Sequence, residues 1–214
     1  MIHDVDGMVQ RNKAMLVAKG YSQQQGVDYN ETFALIARLD TIRTLITLAG
    51  QNSWLLYQFD AKSVFLNGEF KQEVYVEQPR GFIIEGEEDK VYRLKNALYR
   101  LKQALRAWYS QIDGHFDEKC FLKSKNEPTL LVKRQGVDDI LIALYVDNFV
   151  FTENNERMIK EFKKEMMKKY EISDLGLLNH FIGMEIYQRE KGVIICQKKY
   201  VENVLKNSKY MVVI

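Results

Sequence analysis

The chain has 214 residues, 46% hydrophobic and 28% charged, enough apolar material to bury a core as one large or one two-lobed domain. Its 31 Lys and Arg nearly balance 29 Asp and Glu, so a net charge of +2 excludes binding of polyanions by bulk charge alone. No apolar run reaches the roughly 18 residues of a membrane span and "MIHDVDGMVQ" is no signal peptide, so the expected setting is cytoplasmic or nuclear, without a membrane partner.

In chain order, "AMLVAKG" reads as a short strand, followed by a helix over "DTIRTLITLAGQNS". Asp40 is its expected N-cap, and Ile42, Leu45, Ile46 and Ala49 share one face. "WLLYQFD" is a strand running into "AKSVFLNG", and "EVYVEQP", with Val74, Tyr75 and Val76, is a strand ending at Pro79. A second helix is expected across "VYRLKNALYRLKQALRAWYSQIDGHF", where Leu94, Leu98, Leu101, Leu105, Trp108 and Ile112 recur three or four apart. After the polar turn "RQGVDD" comes a hairpin, "LIALYVDNFVF". "NNERMIKEFKKEMMKKYE" is an amphipathic helix with Ile159, Phe162 and Met166 inward, and its Lys160, Lys163, Lys164, Lys168 and Lys169 serve solubility. "NHFIGMEIYQREKGVIICQ" gives two strands around "REKG". Strands and helices interleave without a regular βαβ repeat, so the fold class is α+β. Only Pro79 and Pro128 occur, and no linker or repeat divides the chain. Cys120 and Cys196 form no CxxC pair and are expected as buried, reduced thiols; His3, His115 and His180 lack ligand spacing.

Hydrolase and phosphate-loop motifs are missing, since neither GxSxG nor GxxxxGK[ST] occurs. Acidic residues at strand ends remain. Asp60 closes "WLLYQF" and Asp147 closes "LIALYV", so each carboxylate would stand at the rim of a sheet. Carboxylates on adjacent strands can hold Mg²⁺ for phosphoryl transfer. Asp and Asn are also ordinary hairpin-turn residues, and on pattern alone both readings of Asp147 and Asn148 stand. Asp138 and Asp139 fall in "RQGVDD" and are expected to be a solvated loop.

The blocks "KAMLVAKGYSQQQGVDYNETFALIARLDTIRTL", "LLYQFDAKSVFLNGEFKQEVYVEQPRGF", "VYRLKNALYRLKQALRAWYS", "LYVDNFVFT" and "LGLLNHFIGMEI" resemble, in order, those of the reverse transcriptase of copia-type LTR retrotransposons, as in plant-type Pol polyproteins. The likeness spans residues 10 to 206, and only the tail "NSKYMVVI" is foreign to it. It implies an RNA-directed DNA polymerase with right-hand fingers and palm, the palm an antiparallel sheet packed on helices. It further implies two Mg²⁺ ions, an RNA or DNA template-primer and deoxynucleoside triphosphates as partners. Asp60 and Asp147 match the family's metal-binding carboxylates, whereas the third position is Asn148. Lys13, Phe65 and Gln103 match nucleotide-binding positions, Phe65 being the aromatic that excludes a ribose 2′-hydroxyl, although a core Phe would look the same. Ile182 and Gly183 match the primer grip.

Departures from the family pattern carry information of their own. Met15 stands where the family has an Arg that touches the triphosphate, and a thioether makes no charge-assisted contact. Arg100 and Leu105 replace a Gly and a Pro of "ALYGLKQAPRAWY", so the helix is expected to extend towards Arg93 and crowd the nucleotide site. The resemblance thus points to a truncated, degenerate copy: residues 1–214 as a fingers and palm fragment, with no RNase H, integrase or protease domain. Besides an impaired polymerase, two other readings remain. One is a non-catalytic nucleic-acid-binding relic using Arg93, Lys95, Arg100, Lys102 and Arg106 among Tyr92, Tyr99, Trp108 and Tyr109; the other is a marginal fragment without a cooperative unfolding transition.

Overall fold

The computed structural model describes residues 2–3, 9–11, 16–32, 34, 36–190 and 192–208, of which 2–3, 9–11, 65, 69, 71, 72 and 207 are described by backbone alone. In chain order they form β1 (Ile2–His3), β2 (Val9–Arg11), a 3₁₀ turn (Gly20–Ser22), α1 (Leu39–Asn52), β3 (Leu56–Ala61), α2 (Val64–Asn67), β4 (Glu69–Glu77) and β5 (Val91–Asn96). There follow α3 (Ala104–Glu118), β6 (Leu122–Lys123), β7 (Leu130–Gln135), β8 (Asp138–Tyr145), β9 (Asn148–Glu153) and α4 (Glu156–Lys169). The last elements are β10 (Ile172–Leu177), β11 (His180–Phe181), β12 (Met184–Arg189), β13 (Gly192–Cys196) and α5 (Lys198–Asn207). Helices beside antiparallel sheets make the class α+β, as the pattern implied.

The chain divides into two units, 1–34 with 63–115 and 35–62 with 116–214. In the first unit β4 and β5 pair antiparallel, with Val74 opposite Leu94. Val74, Ala97, Leu101 and Ala104 are its buried centre, with Ala18, Phe70, Leu94 and Leu98 packed around them. The long helix expected from Val91 onwards is not there. Residues 91–96 are strand, and α3 begins only at Ala104. A period-two alternation of Val91, Arg93 and Lys95 against Tyr92 and Leu94 competes with the helical spacing, and pairing with β4 decides it. Between strand and helix Arg100 has φ 70°, and the helix does not extend towards Arg93. Local hydrogen bonds hold this loop: Ala18 N donates to Tyr99 O at 3.0 Å and Lys102 N to Gln23 Oε1 at 2.9 Å. The stretch "AMLVAKG" is not a strand in its described part; Val17 makes one isolated bridge to Tyr99.

In the second unit an antiparallel sheet runs β10-β3-β9-β8-β7-β6. Alternation along its strands sends Leu56, Ala143 and Val150 to one face, packed with Ile42, Leu45, Ile46 and Ala49 of α1. Phe59 and Phe151 go to the other face, where Phe162 of α4 stands 5.8 and 5.1 Å from their ring centres. The expected inward stripes of α1 and α4 are therefore correct, although the first cap is not. Arg38 occupies the N-cap of α1 without a side-chain bond and Asp40 sits in the first turn, where its charge still meets the helix dipole. Asn155 caps α4 by accepting from Arg157 N. Lys163 is more than a solubility residue: it pairs with Asp174 at 2.9 Å and lies 4.3 Å over the Tyr57 ring.

Asp138 and Asp139 are not a solvated loop either. They open β8, Asp138 accepting from Asn155 Nδ2 at 2.8 Å and Asp139 pairing with Arg134 at 3.2 Å. The turn proper is Gly136 and Val137, since Gln135 pairs with Asp138 and Gly136 has φ 68°. Both cysteines are unpaired, but Cys120 is exposed and Cys196 half-buried, not interior as expected.

Candidate carboxylate site

β3 and β9 are neighbours in the centre of the large sheet, and their register places Asp60 directly opposite Asn148. On β9's other side Tyr145 pairs with Asn148, so β8 and β9 are joined by Val146 and Asp147 alone. Ala61 N donates to Asp147 O at 2.8 Å, tying the turn to the end of β3. Sequence reasoning offered a hairpin turn or half of a metal site; the residues are a hairpin turn, and it carries Asp147 to the end of the strand that carries Asp60. Val146 has φ 57°, a conformation that costs a β-branched residue about 1 to 2 kcal/mol. Such strain persists where surrounding structure imposes it and is concentrated at functional sites.

The side chains form a directed chain of hydrogen bonds. Gln58 Nε2 donates to Asn148 Oδ1 at 2.9 Å, and Asn148 Nδ2 donates to Asp147 Oδ1 at 2.9 Å. Asp60, Asp147, Asn148 and Gln58 are all half-buried. Two carboxylates on adjoining strand ends are suitable donors for a hard divalent cation. The third position departs from that, because Asn148 turns nitrogen rather than oxygen towards Asp147. Among the described residues no three His, Cys, Asp or Glu side chains gather in a metal-holding group. Gln58 was not anticipated from the sequence; its place two residues before Asp60, on the same strand face, was the available signal.

The other candidates fall as follows. Ile182 and Gly183 form the two-residue turn between β11 and β12, with Phe181 opposite Met184 and φ values of 46° and 75°. Ile182 is thus a second strained β-branched turn residue, and it is exposed. The two turns are linked by their flanking rings: Tyr145 meets Phe181 edge-on at 5.6 Å. In the first unit Gln103 is buried, its Oε1 accepting from Gln23 at 3.1 Å and its Nε2 donating to Asp28 O at 3.3 Å. The backbone of Phe65 lies in α2. Lys13 and Met15 fall outside the described residues. Of the basic residues, Arg93 pairs with Glu73 at 3.0 Å and Arg106 with Glu31 at 2.8 Å, while Lys102 lies over the Tyr29 ring at 5.9 Å.

Among the described residues no helix is long and apolar enough to cross a membrane. No solved structure matches the chain. The family model described as reverse transcriptase (RNA-dependent DNA polymerase) matches residues 2–212. The chain is 34% identical over 206 residues to the retrovirus-related Pol polyprotein from transposon TNT 1-94 of Nicotiana tabacum, covering 95% of this chain and 16% of that protein. The counterparts from transposons RE2 and RE1 of Arabidopsis thaliana are 34% and 33% identical over 94% and 95% of this chain, and 14% of each of theirs. The chain thus spans about one sixth or less of the length of these relatives. Matched over nearly its whole length by that family model and by the Pol polyproteins of plant copia-type transposons, the chain belongs to the reverse transcriptase (RNA-dependent DNA polymerase) family.

Proposed function

We propose that this chain is the fingers and palm part of a copia-type polymerase, descended from an enzyme of RNA-directed nucleotidyl transfer and impaired as it stands. The observation that carries the proposal is the register of β3 and β9, which puts Asp60 and the Asp147 turn on adjoining strand ends. Reverse transcriptases generally use divalent metal ions and act on a nucleic-acid template and deoxynucleoside triphosphates. Asp60 and Asp147 would hold two Mg²⁺ ions, whose chemistry is to neutralise charge on the attacking and leaving oxygens of phosphoryl transfer. Their carboxylates supply the negative charge such ions require, and the short ladder between β3 and the turn keeps the pair together without large reorganisation.

Impairment follows from Asn148 and Met15. An amide in place of a carboxylate removes one unit of negative charge, a loss on the order of 3 to 4 kcal/mol if it resembles removal of one preorganised contact. Met15 removes a charge-assisted contact to phosphate. Arg100 contributes less than the sequence suggested, since the helix does not extend through it. Phe65, Gln103 and Lys13 are the nucleotide-side residues of this reading, and Ile182 with Gly183 grips the primer end on an exposed, strained turn.

Primer extension with Mg²⁺ tests the proposal, comparing the chain with Asn148→Asp and with a version also carrying Met15→Arg, Arg100→Gly and Leu105→Pro. The unmodified chain should extend roughly 10² to 10³ times more slowly than the repaired one. Equal rates would overturn the impairment. A second reading, a nucleic-acid-binding relic, draws support from Lys95 and Arg100, which among the described residues have no ion-pair partner. Salt-sensitive template-primer binding with no extension by either protein would favour it.

A further inference from the structure

Gln58 and Asn148 are both amides, and an amide can present either its oxygen or its nitrogen to a given neighbour. A carboxylate removes that freedom, because it only accepts. Asp147 Oδ1 lies 2.9 Å from Asn148, so Asn148 must offer Nδ2 there and leave Oδ1 on its other side. Oδ1 then requires a donor, and Gln58 Nε2 meets it at 2.9 Å. The polarity of the whole array is therefore fixed from the Asp147 end, and Gln58 is the group that makes the required orientation of Asn148 the favourable one. The strand ladder adds a reason for its location: Gln58 and Asp60 lie on one face of β3, opposite Val150 and Asn148 of β9, so Gln58 reaches position 148 from within the sheet while Asp60 lies directly across from it.

We propose that Gln58 is a positioning residue of the carboxylate site, holding in place whichever side chain stands at position 148. With Asn148 present, Gln58 keeps the amide nitrogen on Asp147, so residue 148 gives a hydrogen bond to its neighbour instead of an oxygen to a cation. With a carboxylate at 148 the same Nε2–H would donate to it and orient it. The inference rests on the reading of Asp60 and Asp147 as a cation-holding pair. It adds a residue that touches neither substrate nor ion, whose donor works with either occupant of position 148. Hydrogen-bond partners of this kind, behind a metal ligand, typically alter metal affinity 10- to 100-fold when removed.

Two measurements test it on the full chain. In protein labelled with ¹⁵N-asparagine, the Asn148 side-chain amide is identified by its loss in Asn148→Asp. Its solvent exchange should quicken about tenfold in Gln58→Glu, which keeps the shape and lacks the donor, and likewise in Gln58→Leu, the change expected for one lost hydrogen bond. In the Asn148→Asp protein, Mn²⁺ binding followed by water-proton relaxation should weaken about 10- to 100-fold on adding Gln58→Leu. Unchanged Asn148 exchange in both Gln58 variants, with urea midpoints showing them folded, would overturn the proposal, as would equal Mn²⁺ affinity with and without Gln58. If Asn148→Asp binds no Mn²⁺ while exchange responds to Gln58, the orientation of Asn148 stands and the cation-holding reading of the carboxylates falls.

Discussion

Arg100 carries a φ of 70°, and its carbonyl oxygen would lie 1.7 Å from a Cβ placed on Gly20. The two positions restrain each other: Gly20 leaves the space and Arg100 takes the turn. Arg100→Gly should therefore stabilise the protein by about 1 kcal/mol by relieving left-handed strain, read as a higher urea midpoint; an unchanged or lower midpoint would contradict this. Gly20→Ala should do the reverse by at least that amount, because the nearest obstruction is backbone and cannot swing away. Glu153 offers a test by pH. Its side chain is buried, with Oε2 lacking a hydrogen bond. Burial raises its carboxyl above the usual 4.5, opposed by the Asn155 backbone N–H and reinforced by Glu156 and Asp138. The folded protein then holds this proton to a higher pH than the unfolded chain does. Stability contributed here is present below the ordinary glutamate range and falls as pH rises through the raised value. Glu153→Gln should remove that fall, so denaturation midpoints of the two proteins should diverge with rising pH; parallel curves would show the carboxyl to be unshifted.

At the level of elements, α4 depends on one cap and one aromatic stripe. Asn155 accepts from Arg157 N and donates to Asp138 Oδ2, so Asn155→Ala should cost about 1 kcal/mol or somewhat more in urea unfolding. Phe162 stacks with Phe59 at 5.8 Å and meets Phe151 edge-on at 5.1 Å, and its truncation to Ala should cost about 3 to 5 kcal/mol. These stripes were legible in the sequence because each helix faces one sheet with one side, which is what a 3.6-residue period records. The β8–β9 hairpin was legible for the same kind of reason. The segment from Val91 to Ala104 was not, since its leucines satisfy helical spacing and only the pairing of residues 91–96 with the preceding strand, β4, decides against it. The donor direction of Asn148 was beyond sequence reasoning too, because it depends on which strand lies beside which.

Over the whole molecule, neither unit is a continuous stretch of chain: the first takes residues 1–34 and 63–115, the second 35–62 and 116–214. Two of the five pairings in the large sheet, β3 with β9 and with β10, join distant residues, and such contacts slow folding relative to local ones. Sequence blocks in the correct order made the family legible over that whole length, whereas the division into units was not, because composition changes at none of the crossings. The loop at Arg100 bears on how a motif's letters relate to its shape. A residue unsuited to the conformation occupies it, and the loop is held from outside by hydrogen bonds to Ala18 and Gln23 and by the space that Gly20 leaves. Backbone form at this loop is set by what surrounds it as well as by the residue it carries, so a departure in a motif's letters is not by itself a departure in shape.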